Sequence, residues 1–253
     1  MAGITDLALC EMPDSSRVFS VSGSQGGLRC RNPDSAMAST ATQAHPATEA
    51  RGSAAGLELV YIGGRAALLR FGTGVGLQAN WLGATGEVGA SFALPIAPSG
   101  TTLALKAVAG NNGSTLIFNS TLQNPGITVW LRSADGGVSF VQQLIPQGTQ
   151  AGYDTVDLQV VSRVEGRYLL ALSAQGNSLS VFAIGANNQT PLVDLIGADD
   201  GLWVAGPSKL AVAQMGGRDF VLLGASGSSS ITALEPGASG RLQVIDQVLD
   251  DLT

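Results

Sequence analysis

The chain has little positive charge. Lys and Arg together account for 13 of its 253 residues, with Lys106 and Lys209 the only lysines, against 19 Asp and Glu and a net charge of −6. Nucleic-acid binding needs a basic patch to displace counterions from phosphates, so this balance excludes it, and it argues equally against docking on an anionic membrane surface. Histidine occurs once, at His45, and cysteine twice, at Cys10 and Cys30. One His and two Cys leave no credible zinc site. No apolar run approaches the ~20 residues that span a bilayer. The start, MAGITDLALCEMPD, has Asp6 and Glu11 where a secretory signal would have a basic end and an unbroken apolar stretch, so no N-terminal export signal is expected.

What the chain does have is glycine, 34 residues of it, with 45% hydrophobic and only 13% charged residues. That mixture suits short strands joined by tight turns. Long surface helices usually carry many Lys and Glu. The expectation is an all-β protein long enough to bury a large core.

The apolar runs recur. The stretch MGGRDFVLLGASGSSSITAL (215–234) has relatives in IGGRAALLRFGTGVGLQANWL (62–82), VEGRYLLALSAQGNSLSVFAI (164–184) and GNNGSTLIFNSTLQNPGITVWL (110–131), with a weaker first copy in MPDSSRVFSVSGSQGGLRC (12–30). The residues that open the second run of each copy, Leu28, Leu77, Ile127, Leu179 and Ile231, are spaced 49 to 52 residues apart. A period of this length marks propeller blades or solenoid units. Each copy reads as four strands of four to nine residues, with Gly or Asn at the pivots because two-residue hairpins need positive φ. The expected fold is therefore a β-propeller of about five four-stranded blades, near 3–53, 54–100, 101–153, 154–207 and 208–253. The five copies form either a complete ring or the opening portion of a seven- or eight-bladed one. A cut ring would expose two apolar blade faces and favour self-association. Runs such as DFVLLGA and YLLALSA are apolar at consecutive positions, as strands covered on both faces should be. Residues 32–53, rich in Ala, Ser and Thr, carry at most a weak outer strand. On this arrangement Cys10 and Cys30 fall two strands apart, roughly 9 to 10 Å, and free buried thiols are expected.

The GGR-type pivots, the breaks before LSVFAI and ITALEPG, and the closing RLQVIDQVLDDLT resemble the repeated propeller segment upstream of calcium-binding nonapeptides in secreted hemolysin-type (RTX-like) bacterial proteins. The resemblance implies an acidic, extracellular protein exported by a type I system, with a propeller acting as a non-catalytic binding or scaffold module. Calcium would enter only through the intact protein, since the nonapeptide itself is absent and Asp135-Gly136-Gly137 does not replace it. No cofactor is expected in this segment.

The candidate sites are weak individually. His45 lies beside Pro46 in a loose polar stretch, a poor mount for a catalytic triad. The run Gly72-Thr73-Gly74-Val75-Gly76 is expected to be a turn, because a phosphate loop needs a following helix and none is expected. Trp81, Trp130, Phe182 and Leu234 recur near one register and are expected in the core. Asn112, Asn119 and Asn188 head glycosylation sequons of the kind chance supplies. The most interesting loops are those leading from the outer strand of one blade to the inner strand of the next. Tyr153 and Asp154 in one, and Asp199, Asp200 and Trp203 in the other, are the candidates for a ligand or metal surface facing a protein or carbohydrate partner. The rival function is a sugar-lactonase-like hydrolase with a metal or acid/base site at the channel mouth. That site would be built from inner strands, which offer Glu58, Lys106, Asp157, Arg163 and Lys209 but no histidine.

Overall fold

A computed structural model describes residues 4–11, 16–22, 28–31, 53–73, 76–96, 101–146 and 154–249. Among them nineteen β-strands form five sheets taken in chain order. The first sheet holds β1 (Ile4–Glu11), β2 (Ser16–Ser22) and β3 (Leu28–Arg31). The second holds β4 (Ser53–Ile62), β5 (Arg65–Thr73), β6 (Gly76–Leu82) and β7 (Val88–Phe92). The third holds β8 (Thr102–Ala109), β9 (Thr115–Thr121), β10 (Ile127–Arg132) and β11 (Val138–Leu144). The fourth holds β12 (Thr155–Arg163), β13 (Gly166–Ser173), β14 (Ser178–Ile184) and β15 (Leu192–Ile196). The fifth holds β16 (Pro207–Met215), β17 (Arg218–Ala225), β18 (Ser230–Pro236) and β19 (Leu242–Leu249). Strand order within each sheet follows the chain. The fold is all-β and of the propeller type, with the five expected blades. The first blade shows three strands among the described residues. Its expected outer strand and His45 lie outside them, in residues 32–52.

The pivots behave as their composition requires. Gly63 and Gly64 have φ of 56° and 79°, and Gly216 and Gly217 have 58° and 76°. Two successive positive φ values define the hairpin turn that matches strand twist, and glycine adopts them at least cost. A second recurrent device joins the third strand to the fourth. Gly83, Ser133, Gly185 and Gly237 each donate an N–H to the carbonyl four residues on, at 2.9, 2.8, 2.9 and 2.7 Å. The residue after each of these is alanine. The glycine run at 72–76 joins β5 to β6, a strand-to-strand connection with no helix after it.

The chain divides into two compact units. One comprises Met1–Ile117 and Trp130–Ser139, the other Phe118–Val129 and Phe140–Thr253. In the first unit Leu68 packs with Cys10, Phe19, Val21 and Leu57, while its neighbour Leu69 packs on the opposite side with Val60, Leu105 and Ile117. Consecutive leucines are both wholly buried because β5 is covered on both faces, which accounts for the unbroken apolar run. Each contributes about 1.5–3 kcal/mol of transfer free energy. In the second unit Tyr168, Leu170, Leu172, Leu179 and Val181 form one core with Leu210, Val221, Leu223 and Leu234. Phe182 and Leu234 are buried as expected. Trp81 and Trp130 pack against the first-unit core, with Trp81 stacked on Phe92 at 4.2 Å and the Arg65 guanidinium 4.3 Å over its ring. Cys10 and Cys30 are free thiols, Cys10 buried and Cys30 half-buried. Burial pushes both thiols above their ordinary pKa.

Candidate functional site

The first strand of each blade lies at one edge of its sheet, beside the first strand of the next blade: β1 beside β4 and β4 beside β8 in one unit, β12 beside β16 in the other. Four of these strands begin with a register shift, between Ile4 and Asp6, Ala54 and Gly56, Thr155 and Asp157, and Pro207 and Lys209. A bulge re-aims the side chain that follows it. In the first blade that side chain is Asp6, whose Oδ2 accepts the Leu57 N–H of the second blade at 2.8 Å. In the fourth it is Asp157, whose Oδ2 accepts the Leu210 N–H of the fifth at 2.8 Å. The same carboxylate clamp thus recurs in both units, each time reaching from one blade to the backbone of the next.

The second blade has no room for this device. A side chain at Gly56 would overlap the Phe71 ring and crowd Asp6 Oδ2. Its acid stands two residues on, at Glu58, which keeps the same strand face. Glu58 Oε1 accepts the Ala107 N–H at 3.2 Å, and Oε2 accepts from Lys106 Nζ at 3.2 Å. In the second unit Lys209 stands 4.0 Å from Asp157, and Arg163 Nη1 donates to Asp219 Oδ2 at 3.3 Å. The ionisable groups offered by the inner strands are therefore brought together as acid–base pairs across blade junctions.

Glu58 is the chemically distinctive member. Only 8% of it is exposed. Burial raises the pKa of its carboxyl above the ordinary value, and the nearby Asp6 charge adds to the rise. The Lys106 charge and the Ala107 N–H pull it back in part. A carboxyl shifted upward in the folded state holds its proton to a higher pH than in the unfolded chain, where 4.5 is ordinary. The folded state therefore binds more protons as pH rises from 4.5. The stability that Glu58 contributes is full below that pH and is lost as pH climbs through the raised folded value. Urea midpoints measured from pH 4.5 upward should show this component in the wild type and not in Glu58→Gln, so the wild-type-minus-variant difference should fall with pH. A flat difference would show that burial leaves Glu58 unperturbed.

The loop candidates are placed differently. Tyr153 lies outside the described residues. Asp154 is buried; its Oδ1 accepts the Ser173 hydroxyl at 2.7 Å, and its Oδ2 accepts the Gln175 N–H. Asp199 and Asp200 lie exposed in a 3-10 turn (Ala198–Asp200), where Asp200 Oδ2 accepts the Gly197 N–H at 3.0 Å. Trp203 is 68% exposed, and its carbonyl accepts from Gln247 Nε2. No hydrogen bond or ion pair joins Asp154 to Asp199, Asp200 or Trp203 among the described residues. Nor do those residues include a group of three or more His, Cys, Asp and Glu side chains able to hold a metal ion. The donor set therefore does not fit the metal form of a hydrolase site.

The sequence matches no family model and no curated protein. Solved structures do resemble the chain. A periplasmic gluconolactonase from Pseudomonas aeruginosa is 17% identical with a TM-score of 0.59, over 97% of this chain and 70% of that one. A protein from Bacteroides fragilis assigned as a 6-phosphogluconolactonase is 14% identical with a TM-score of 0.59, over 96% and 70%. A thermostable family-43 glycoside hydrolase is 13% identical with a TM-score of 0.58, over 99% of this chain and 95% of that one. At these identities the likeness establishes the fold.

These neighbours overturn the resemblance to hemolysin-type proteins. The expectations drawn from it, type I export and a non-catalytic scaffold, fall with it. The physical reason lies in the motif. A GG pair before an apolar run records two adjacent residues at positive φ, as at Gly63-Gly64 and Gly216-Gly217. Any tight hairpin makes that demand, whatever the family.

Proposed function

We propose that the chain is a lactone hydrolase of acid/base type, acting on a sugar-derived lactone through Glu58 with Lys106 beside it. One observation carries the reading: a buried carboxyl with raised proton affinity lies 3.2 Å from an ammonium group on adjoining inner strands. Such perturbed pairs are candidates for function. The lactonases among the structural neighbours support the substrate class.

In this mechanism the Glu58 carboxylate removes a proton from the water that attacks the lactone carbonyl. The Lys106 ammonium stabilises the oxyanion that forms. When the ring C–O bond breaks, Glu58 returns the proton to the departing ring oxygen, giving the hydroxy acid. Because the base must be ionised, the rate should fall as pH drops through the raised Glu58 value.

The test is acid release from glucono-1,5-lactone in a pH-stat, corrected for spontaneous hydrolysis. Glu58→Gln keeps an acceptor for the Ala107 N–H but has no basic carboxylate, so kcat should drop about 100-fold or more with the fold retained. No acceleration of any sugar lactone by the wild type, or equal rates in Glu58→Gln and Lys106→Met, would end the proposal.

A further inference from the structure

We propose that the chain associates head to tail with a second copy of itself, the outward face of its fifth blade packing on the outward face of the partner copy's first blade. These two faces are the unmatched halves of a junction that the chain already builds internally. Between the fourth and fifth blades, Tyr168, Leu170, Leu179 and Ile196 share one core with Leu210, Val221 and Leu223. The strand registers carry those four fourth-blade positions onto Phe220, Leu222, Ile231 and Val248 of the fifth blade. There Phe220 and Leu222 are half-buried, while Ile231 and Val248 are 59% and 64% exposed.

The other half is as clear. Leu57, Leu59 and Leu68 of the second blade pack on the first. Their first-blade counterparts are Leu7, Leu9 and Val18. Leu7 and Leu9 are 58% and 55% exposed, and Val18 is half-buried. One face thus repeats the side chains that receive a blade, and the other repeats those that insert. Charge agrees. At the internal junction Asp157 and Lys209 occupy matching positions 4.0 Å apart. Between copies Lys209 would face Asp6, the same pair with its signs exchanged.

The contact joins two different surfaces, so it is heterologous and extends into rings or filaments. A four-stranded face of seven-residue strands measures roughly 19 by 24 Å. That places the interface at the low end of stable sizes, with micromolar association expected. The proposal does not depend on the catalytic reading.

Sedimentation velocity over roughly 1 to 200 µM tests it. The wild type should grow with concentration. Ile231→Glu/Val248→Glu, which blocks one face, and Leu7→Glu/Leu9→Glu, which blocks the other, should each be monomeric alone. Mixed together they should form a 1:1 dimer that grows no further, because one live face of each kind remains. That dimer also shows that both variants are folded. If either double variant fails to fold, Val248→Asn and Leu9→Asn, at exposed sites, should each weaken association at least tenfold. A wild type that stays monomeric throughout, blocked variants that still self-associate, or a mixture that does not dimerise would overturn the proposal.

Discussion

Replacing Gly126 with alanine should destabilise the chain by about 3 kcal/mol or more. Gly126 is buried just before β10 with φ of 80°. A Cβ there would overlap the Leu144 carbonyl oxygen and lie 3.4 Å from Ile145 Cα. Both are main-chain groups at the end of β11 and cannot swing aside as a side-chain tip would. The left-handed backbone costs an L-residue about 1–2 kcal/mol, and forced overpacking adds about 1–3. Gly63→Ala separates the two terms, because Gly63 has φ of 56° and a methyl group there would meet nothing within 4 Å. It should lose only the first. Urea unfolding of both variants is the measurement, and equal losses would show that the crowding at Leu144 is relieved at no cost.

Asp157→Ala should cost a similar amount, about 3 kcal/mol. Asp157 Oδ2 takes the Leu210 N–H at 2.8 Å and Oδ1 takes the Leu158 N–H at 2.9 Å, both in buried surroundings. Alanine strands two main-chain donors, and each unsatisfied buried donor costs about 1–3 kcal/mol. Asparagine at the same position keeps one carbonyl oxygen, so Asp157→Asn should lose roughly half as much. The order Ala worse than Asn, read from urea midpoints, distinguishes the loss of hydrogen bonds from a general loss of negative charge. An alanine variant within about 0.5 kcal/mol of wild type would mean that the junction draws little stability from its clamp.

Much of the fold was legible because its demands are local. The five markers from Leu28 to Ile231 stand within one residue of the start of β3, β6, β10, β14 and β18. The fourth blade's strands begin and end within two residues of where periodicity and turn chemistry put them. The third-to-fourth connection could also have been read, since Gly83-Ala84, Ser133-Ala134, Gly185-Ala186 and Gly237-Ala238 repeat at blade spacing. The junction carboxylates were harder. Asp6 and Asp157 each precede their blade's marker by 22 residues, as does Lys209. The second blade breaks the pattern because Phe71 leaves no space at Gly56, so its acid moves to Glu58. A single sequence shows that an acid is present on an inner strand. It does not show that the acid's partner is a main-chain N–H about fifty residues away. The pairing of Glu58 with Lys106 depends on how adjoining strands are set side by side, and no local rule dictates that. Asp154 illustrates the converse. Its place in a long connection suggested an exposed ligand surface, yet the turn it anchors draws the carboxylate inward to Ser173 and Gln175.

Because each junction carboxylate grips a main-chain N–H, the receiving positions 57, 107 and 210 can change identity without loosening the joint. Every amino acid except proline carries the required hydrogen. Neighbouring blades are therefore free to drift apart in composition while staying fastened, which lets divergent copies remain mechanically interchangeable.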